Sequence, residues 1–390
     1  MTIKRYLHLA ILKDLEDTMV FLGGPRQVGK TTLAQSIAQK EFNSSCYLNW
    51  DNKADRLLIQ KSNWPLDTEI LILDELHNFK SWKRFIKGEY DKHHLDYKFI
   101  VTDSARLDLY RKGGDSLQGR YHYFRLHPFS VAELLNHSKE YLPFSPLQIE
   151  SKNNENELES LFKFGGFPHP LLKQSERELR RWQNERIDRL FKEDIRDIQV
   201  IRDVSSMMML SDLLASKVGS PLSLNSLRED IEVSHRSITN WLNILEIFYY
   251  QYRIYPFVKN SIKSLKKEAK LYLWDWSEIT DEAARFENLI ASHLLKFCHY
   301  LHDYEGHKVQ LNYIRDINKK EVDFLISINK KPWFAVEVKL NDSNIHAPLK
   351  YFKEKLNIPF AYQVVKKKNI DQTRDEIRII SADRFLASLY

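Results

Sequence analysis

The chain has 390 residues, 43% of them hydrophobic and 29% charged, with 11 glycines and 12 prolines. This composition excludes a disordered or fibrous chain, and at roughly 100 to 200 residues per domain it implies two to four folded domains. A net charge of +6 permits contact with nucleic acid without requiring it. The two cysteines, Cys46 and Cys298, form no Cys-x-x-Cys spacing, so a disulfide framework or structural zinc is not expected and a reducing cytoplasm is.

Met1 to Asp17 carries Leu7, Ile11, Leu12 and Leu15, interrupted by Lys13, Asp14, Glu16 and Asp17, which predicts an amphipathic helix and no signal peptide. No apolar run approaches the roughly 20 residues that span a bilayer, so no membrane partner is expected. Thr18 to Leu22 is a β-prone run meeting Gly23-Gly24, and from Thr31 onward Leu33, Ile37 and Ala38 recur at helical spacing. Strand, glycine loop and helix in that order make Gly24-Pro25-Arg26-Gln27-Val28-Gly29-Lys30-Thr31 a P-loop. Gly24 and Gly29 let the backbone curl so that its N–H groups face phosphate oxygens, and the helix start adds a favourable dipole. Lys30 is expected on the β and γ phosphates and Thr31 on Mg²⁺, with Pro25, Arg26, Gln27, Val28 and Thr32 completing the nucleotide-binding segment. ATP and Mg²⁺ are the expected ligand and cofactor.

Glu69 to Leu73 is a buried-strand pattern that ends in Asp74-Glu75, a Walker B arrangement. In a parallel sheet Asp74 is expected to hold the Mg²⁺ shell and Glu75 to act on the attacking water, the two pointing opposite ways on an extended strand. Tyr97 to Val101 is another strand. Thr102 or Ser104 at its tip either senses the γ-phosphate or ends the strand in an ordinary turn. Asp51, after the strand Cys46 to Trp50, is a further candidate for ordering Mg²⁺ or water. Arg120, before the strand Tyr121 to Leu126, is read either as a catalytic group for the γ-phosphate, in its own subunit or a neighbour's, or as a surface ion pair. Ser130-Val131-Ala132-Glu133 has capping-box spacing, and the sheet domain is expected to cover residues 1–138.

The segment 24–33, the acid pair in Leu73-Asp74-Glu75, and Ser116 to Arg120 with Leu126 to Glu133 together resemble the prokaryotic AAA-type ATPases that carry a C-terminal domain of unknown function. The resemblance extends over most of the chain. It departs at Thr102-Asp103-Ser104-Ala105, where the family tends to have Thr-Gly-Ser-Ser.

Residues 139–204 are expected to be a linker, polar and irregular from Lys139 to Glu157, followed by a helical lid or connector. A turn at Phe164 to Pro168 leads there into a charged helix from Glu176 to Arg202. In residues 205–258, Ser223 caps a helix with Leu224, Leu227 and Ile231, and Ser234 caps a second with Ile238, Trp241, Leu242 and Leu245 on its inner face. This predicts a helix-turn-helix, with Phe248 to Tyr255 as a wing. Arg236 and Asn240 on the outer face suit phosphates or base edges of double-stranded DNA, although such modules also serve as lids or protein contacts. Lys259, Lys263, Lys266, Lys267 and Lys270, opposed by Glu268, read as a solvated or a phosphate-contacting loop.

In residues 259–390 a helix from Ala284 to Lys296 carries Glu287, and strands carry Asp323 and the Glu337/Lys339 pair. Strand alternation puts Glu337 and Lys339 on one face, where they can meet Asp323 and Glu287, a geometry suited to holding Mg²⁺ against a phosphodiester. The set resembles the PD-(D/E)xK nuclease fold at its four polar positions, without the first proline. Cys298, His299, His302 and His307 read as helix end and loop, with a metal site as the alternative. The expected architecture is α/β: a P-loop NTPase parallel-sheet domain, a winged-helix module and a restriction-endonuclease-like domain. Its expected work is ATP-driven DNA metabolism or, alternatively, an ATP-dependent switch that binds protein partners or further copies of itself.

Overall fold

The computed structural model describes residues 3–103, 117–137, 141–195, 203–258, 268–341 and 344–390. They form two compact units, Met1–His127 with Ile247–Tyr249, and Pro128–Glu246 with Tyr250–Tyr390.

The first unit runs α1 (His8–Asp14), β1 (Met19–Gly23), α2 (Lys30–Glu41), β2 (Ser45–Asn49), α3 (Lys53–Lys61), β3 (Ile70–Asp74), α4 (Trp82–His93), β4 (Lys98–Thr102) and β5 (Tyr121–Arg125). The strands form one parallel sheet in the order β2-β3-β4-β1-β5. Every residue of β1 and β3 is buried, as continuous apolar runs require in a parallel sheet covered on both faces. Phe21, Leu71, Leu73, Phe99 and Val101 pack with Trp50, Trp82 and Ile86 in a single core cluster. Because all strands point the same way, the residues following β1, β3 and β4 emerge along one edge. This is where an open α/β sheet offers a ligand crevice.

The second unit begins with α5 (Val131–Leu134), α6 (Glu155–Phe164), α7 (Pro168–Lys173) and α8 (Glu176–Arg189). It continues with α9 (Val204–Ala215), α10 (Leu224–Ile231), α11 (His235–Ile247), β6 (Gln251–Pro256), β7 (Lys270–Leu273) and α12 (Glu282–Asp303). Then follow β8 (Val309–Arg315), β9 (Glu321–Ile328), β10 (Lys331–Lys339), α13 (Ala347–Lys355), β11 (Phe360–Val365), β12 (Asp371–Arg374), β13 (Ile377–Ser381) and α14 (Ala382–Ala387). An eight-stranded mixed sheet has the order β12-β13-β11-β10-β9-β8-β6-β7.

The strand expected as a wing is β6. It pairs antiparallel with β7, and its Tyr255 and Pro256 pair parallel with Asn312 and Tyr313 of β8. The hairpin thus belongs to the large sheet, and the expected boundary after residue 258 runs through that sheet. The segment expected as a linker is docked in part: Leu147 is buried, its N–H donates to the Tyr362 hydroxyl at 3.0 Å, and the Trp333 indole donates to the Ser145 carbonyl at 2.8 Å. Polar sequence reads as a linker here, whereas one buried leucine and two hydrogen bonds between side chains and its backbone tie it to the sheet. The charged helix continues from α8 through a π-helical turn to Asp194, and its expected end at Arg202 lies outside the described residues.

The capping-box expectation is corrected. No side chain caps α5, although Ser130 occupies its N-cap position. Ser130 Oγ and the Glu133 carboxylate instead accept hydrogen bonds from the Lys296 ammonium of α12, 2.8 Å from Ser130. Both Glu133 and Lys296 are buried, so each charge depends on the other for its solvation. We expect Glu133→Ala to lower unfolding free energy by about 3 kcal/mol in urea titrations followed by tryptophan fluorescence, because it leaves a buried ammonium uncompensated. The double change Glu133→Ala with Lys296→Met should recover part of that loss; equal or greater loss in the double variant would refute the coupling.

Candidate functional site

The glycine loop between β1 and α2 is shaped by its neighbours. Gly24 sits at φ +146°, and a Cβ there would lie 2.4 Å from the Leu126 carbonyl oxygen, so only glycine fits. Gly29, at φ +100°, is the N-cap of α2, a helix with no side-chain cap and no acid in its first turn. Such an end presents backbone N–H groups suited to an anion. Arg5 braces the loop from the N-terminal segment by donating to the Val28 carbonyl at 2.8 Å and to the His127 carbonyl. Pro25 and Val28 are buried, Arg26 is half-buried, and Gln27 and Thr32 are exposed. The buried Lys30 ammonium donates to the carbonyls of Gly24 and Pro25, at 2.9 and 3.0 Å.

Asp74, the last residue of β3, is buried and accepts hydrogen bonds from three hydroxyls: Thr31 at 2.9 Å, Tyr47 at 2.8 Å, and Thr102. These come from α2, β2 and β4, so parallel register brings them together. Burial, reinforced by the Asp74 carboxylate, raises the Tyr47 pKa. Thr31 and Asp74 therefore offer hard oxygen donors of the kind Mg²⁺ takes.

The chain turns at Glu75, which adopts φ +52°. This corrects the picture of two carboxylates alternating on an extended strand: Glu75 diverges from Asp74 because the backbone enters the left-handed region. Holding a non-glycine residue there costs about 1 kcal/mol or more and is characteristic of functional turns. Burial, with Asp103 nearby, pushes the Glu75 carboxyl up to about 7 against the opposing effect of Lys30 and His77. His77 Nδ1 lies 2.9 Å from Asp103 Oδ1 and 3.4 Å from Glu75 Oε2. Burial disfavours the charged ring, but Asp103, Glu75 and Asp51 outweigh it and hold its pKa above the ordinary value. Among the described residues, Glu75, His77 and Asp103 are the one His/Cys/Asp/Glu group of three or more whose ligand atoms all lie within 4.8 Å of one another.

Of the two strand-tip candidates, Thr102 contacts Asp74 and Ser104 lies outside the described residues. Asp51 is exposed and accepts from Asn78 at 3.0 Å. Tyr47, His77 and Asp103 were not singled out as functional residues in the sequence, since only the fold brings their strands and turns to one edge. The departure from glycine at Asp103 was the signal available.

Arg120 precedes β5, at the strand end opposite the P-loop; β5 pairs with β1 from Met19 onward. A five-residue strand puts roughly 16 Å between the two ends at about 3.3 Å per residue. This corrects the reading of Arg120 as a group acting within its own subunit. The side chain instead forms a two-point ion pair with Asp91, at 2.5 and 3.1 Å.

In the second unit Glu287, Asp323, Glu337 and Lys339 fall into two adjoining ion-pair groups. Lys339 Nζ lies 2.7 Å and His346 Nδ1 2.8 Å from Glu337 Oε1. Asp323 accepts from the Val338 N–H at 2.9 Å, and burial with Glu287 and Glu337 nearby raises its pKa well above the usual carboxylate range. Lys270, expected in an exposed basic loop, is buried; its Nζ lies 2.7 Å from Glu321 and 3.5 Å from both Glu287 and Asp323. The other four lysines of that loop lie outside the described residues. An ammonium thus stands among three of the carboxylates, while Glu337 Oε2 is buried without a hydrogen-bond partner. Cys298, His299, His302 and His307 make no metal-ligand set among the described residues.

The helices α10 and α11 are joined through Glu232 at φ +58°. Ile238, Trp241, Leu242 and Leu245 are buried, and Arg236 and Asn240 are exposed near the start of α11.

With this geometry in place, comparison with known proteins divides the chain into three segments. Residues 16–135 match the family described as AAA domain. This segment is an AAA-type P-loop domain. Residues 155–279 and 283–385 match two families each described as a domain of unknown function. An uncharacterized protein of Methanocaldococcus jannaschii is 24% identical over 364 residues, covering 88% of this chain and 80% of its own. An uncharacterized protein of Mycobacterium tuberculosis is 21% identical over 275 residues, covering 70% of this chain and 56% of its own. The RuvB Holliday junction branch migration motor of Thermotoga maritima aligns at 18% identity over 67% of this chain and 93% of that one, with a TM-score of 0.29, too low to equate the folds. No described helix is long and apolar enough to cross a membrane.

Removing one of the three hydroxyl donors tests the Asp74 arrangement. We expect Thr102→Val to weaken the Mg²⁺-dependent part of ATP-analogue binding about tenfold while leaving Mg²⁺-free binding unchanged in calorimetric titrations. An equal loss with and without Mg²⁺ would place Thr102 outside the metal's support.

Proposed function

We propose that the protein binds ATP with Mg²⁺ and hydrolyses it at the edge of the first sheet. The observation that supports this most directly is the convergence of Lys30, Thr31, Asp74 and Glu75 on the uncapped start of α2. In this reading the amides of Gly24 to Thr32 receive the phosphates, and Lys30 exchanges the carbonyls of Gly24 and Pro25 for β and γ oxygens. Thr31 and Asp74 would hold Mg²⁺, which when bound offsets charge on the phosphates. Glu75 orients the attacking water and takes its proton; a carboxyl raised to about 7 is matched to base work near neutral pH. Arg120 pairs with Asp91 at the far strand end, so any action on a γ-phosphate falls to a neighbouring copy in a homo-oligomer.

The cycle is coupled to double-stranded DNA through α10 and α11, with the β6–β7 hairpin as a winged-helix element and Arg236 and Asn240 as the contacts. The sheet carrying Glu287, Asp323, Glu337 and Lys339 is a PD-(D/E)xK nuclease-like fold. A second reading, an ATP-dependent switch whose C-terminal modules bind protein partners, is favoured by the ion pairing of those four residues.

We expect Lys30→Ala to weaken ATP binding about 100-fold, the worth of a charge-assisted contact of about 3 kcal/mol. Glu75→Gln should retain binding and lose turnover by about 100-fold or more in a phosphate-release assay. Normal hydrolysis by either variant refutes the site. For the coupling, Arg236→Ala should reduce the slope of log affinity against log salt for duplex DNA by about 1. Negligible DNA affinity at low salt in the unmodified protein would leave the switch reading.

A further inference from the structure

The C-terminal carboxylates carry a cation of their own. Lys270 opens β7, where Ile254 of β6 pairs with it, and its side chain is 2% exposed. Its Nζ stands 3.5 Å from Glu287 Oε1 and 3.5 Å from Asp323 Oδ1, anchored at 2.7 Å to Glu321 Oε1, and 5.7 Å from the Tyr313 ring centre. A divalent ion would need carboxylate oxygens at about 2.1 Å from a shared centre. Here the centre shared by Glu287 and Asp323 is held by the ammonium.

Most of the remaining oxygens are also engaged, Glu337 Oε2 being buried without a hydrogen-bond partner. Tyr272 donates to Glu287 Oε1 at 2.7 Å, the Val338 N–H donates to Asp323 Oδ2 at 2.9 Å, and Glu337 Oε1 is met by Lys339 and His346. Arg315 lies 3.3 Å from Glu321 Oε2. The carboxylates of Glu287, Glu321, Asp323 and Glu337 therefore meet Lys270, Lys339 and Arg315, with the His346 ring alongside. A metal site of the hydrolytic kind needs surplus negative charge to attract its ion, whereas this set is close to neutral from protein groups alone.

We propose that Lys270 is the resident cation of this cluster and closes it to divalent metals, so the cluster does not carry out metal-dependent phosphodiester cleavage. The arrangement joins β7, α12, β8, β9 and β10 around one buried ammonium. An ion pair so placed contributes little net stability over apolar packing, but removing one partner leaves buried charge that seeks a replacement. Deleting the ammonium should therefore create the metal site that the intact chain lacks. This inference does not depend on ATP hydrolysis in the first unit.

The test uses the full chain without nucleotide, carrying Asp74→Asn to silence the P-loop site, and Mn²⁺ as a paramagnetic probe counted by electron spin resonance. With Lys270 intact, no saturable Mn²⁺ site that Asp323→Asn removes is expected up to about 1 mM, the weak end of the range for protein cation sites. Adding Lys270→Met should produce one bound Mn²⁺, at least about tenfold tighter, that disappears when Asp323→Asn is added. The proposal is overturned if the Lys270-intact protein binds an Mn²⁺ that Asp323→Asn removes, or if a folded Lys270→Met protein gains none. Should Lys270→Met fail to fold, the comparison of Lys270-intact protein with and without Asp323→Asn still decides whether the cluster admits a metal.

Discussion

The first unit depends on one buried carboxylate. Asp74 ends the β3 strand inside the sheet, and its charge is tolerable because hydroxyls of Thr31, Tyr47 and Thr102 converge on it from three elements. A buried carboxylate without such donors would be costly to hold in the fold. Parallel pairing supplies the donors: Asn49 and Thr102 stand opposite Asp74 in register, so strand tips on either side meet the acid at one level. The same register puts the glycine loop beside it and leaves Glu75 to turn outward in a left-handed conformation.

That turn creates a second polar layer. Glu75, His77 and Asp103 stand close together, where burial and the neighbouring charges shift the proton affinities of Glu75 and His77. Asp103 raises the Glu75 carboxyl while keeping His77 inclined to carry charge. The base proposed for hydrolysis is thus tuned by residues outside the glycine loop and the acid pair.

The second unit handles buried charge differently. Lys296 is held by Glu133 and Ser130, and Lys270 by Glu287, Glu321 and Asp323, each ammonium linking a helix to elements distant in sequence. Such pairs contribute little net stability against well-packed apolar groups, yet they penalise any arrangement that separates the partners. Here they specify which helix meets which partner element, and one of them sits where a hydrolytic metal would be expected.

Sequence alone determined the elements whose signal is local. Buried runs with β propensity marked β1, β3 and β4, spaced glycines between a strand and a helix marked the loop, and the acid pair at the end of β3 marked the edge that the loop faces. The helix pair around Trp241 was equally legible, because i, i+3, i+4, i+7 spacing needs no partner to be read. Tertiary structure alone decided what depends on which strands are neighbours. It put Arg120 at the far end of the sheet from the loop and turned Glu75 off its strand. It built β6 into the large sheet and drew Lys270 out of an apparent basic loop into a carboxylate cluster. The physical reason is the same in each case: hydrophobic period and turn chemistry are properties of a few consecutive residues. The charge that a lysine or arginine must answer is set by side chains that arrive from elsewhere in the chain.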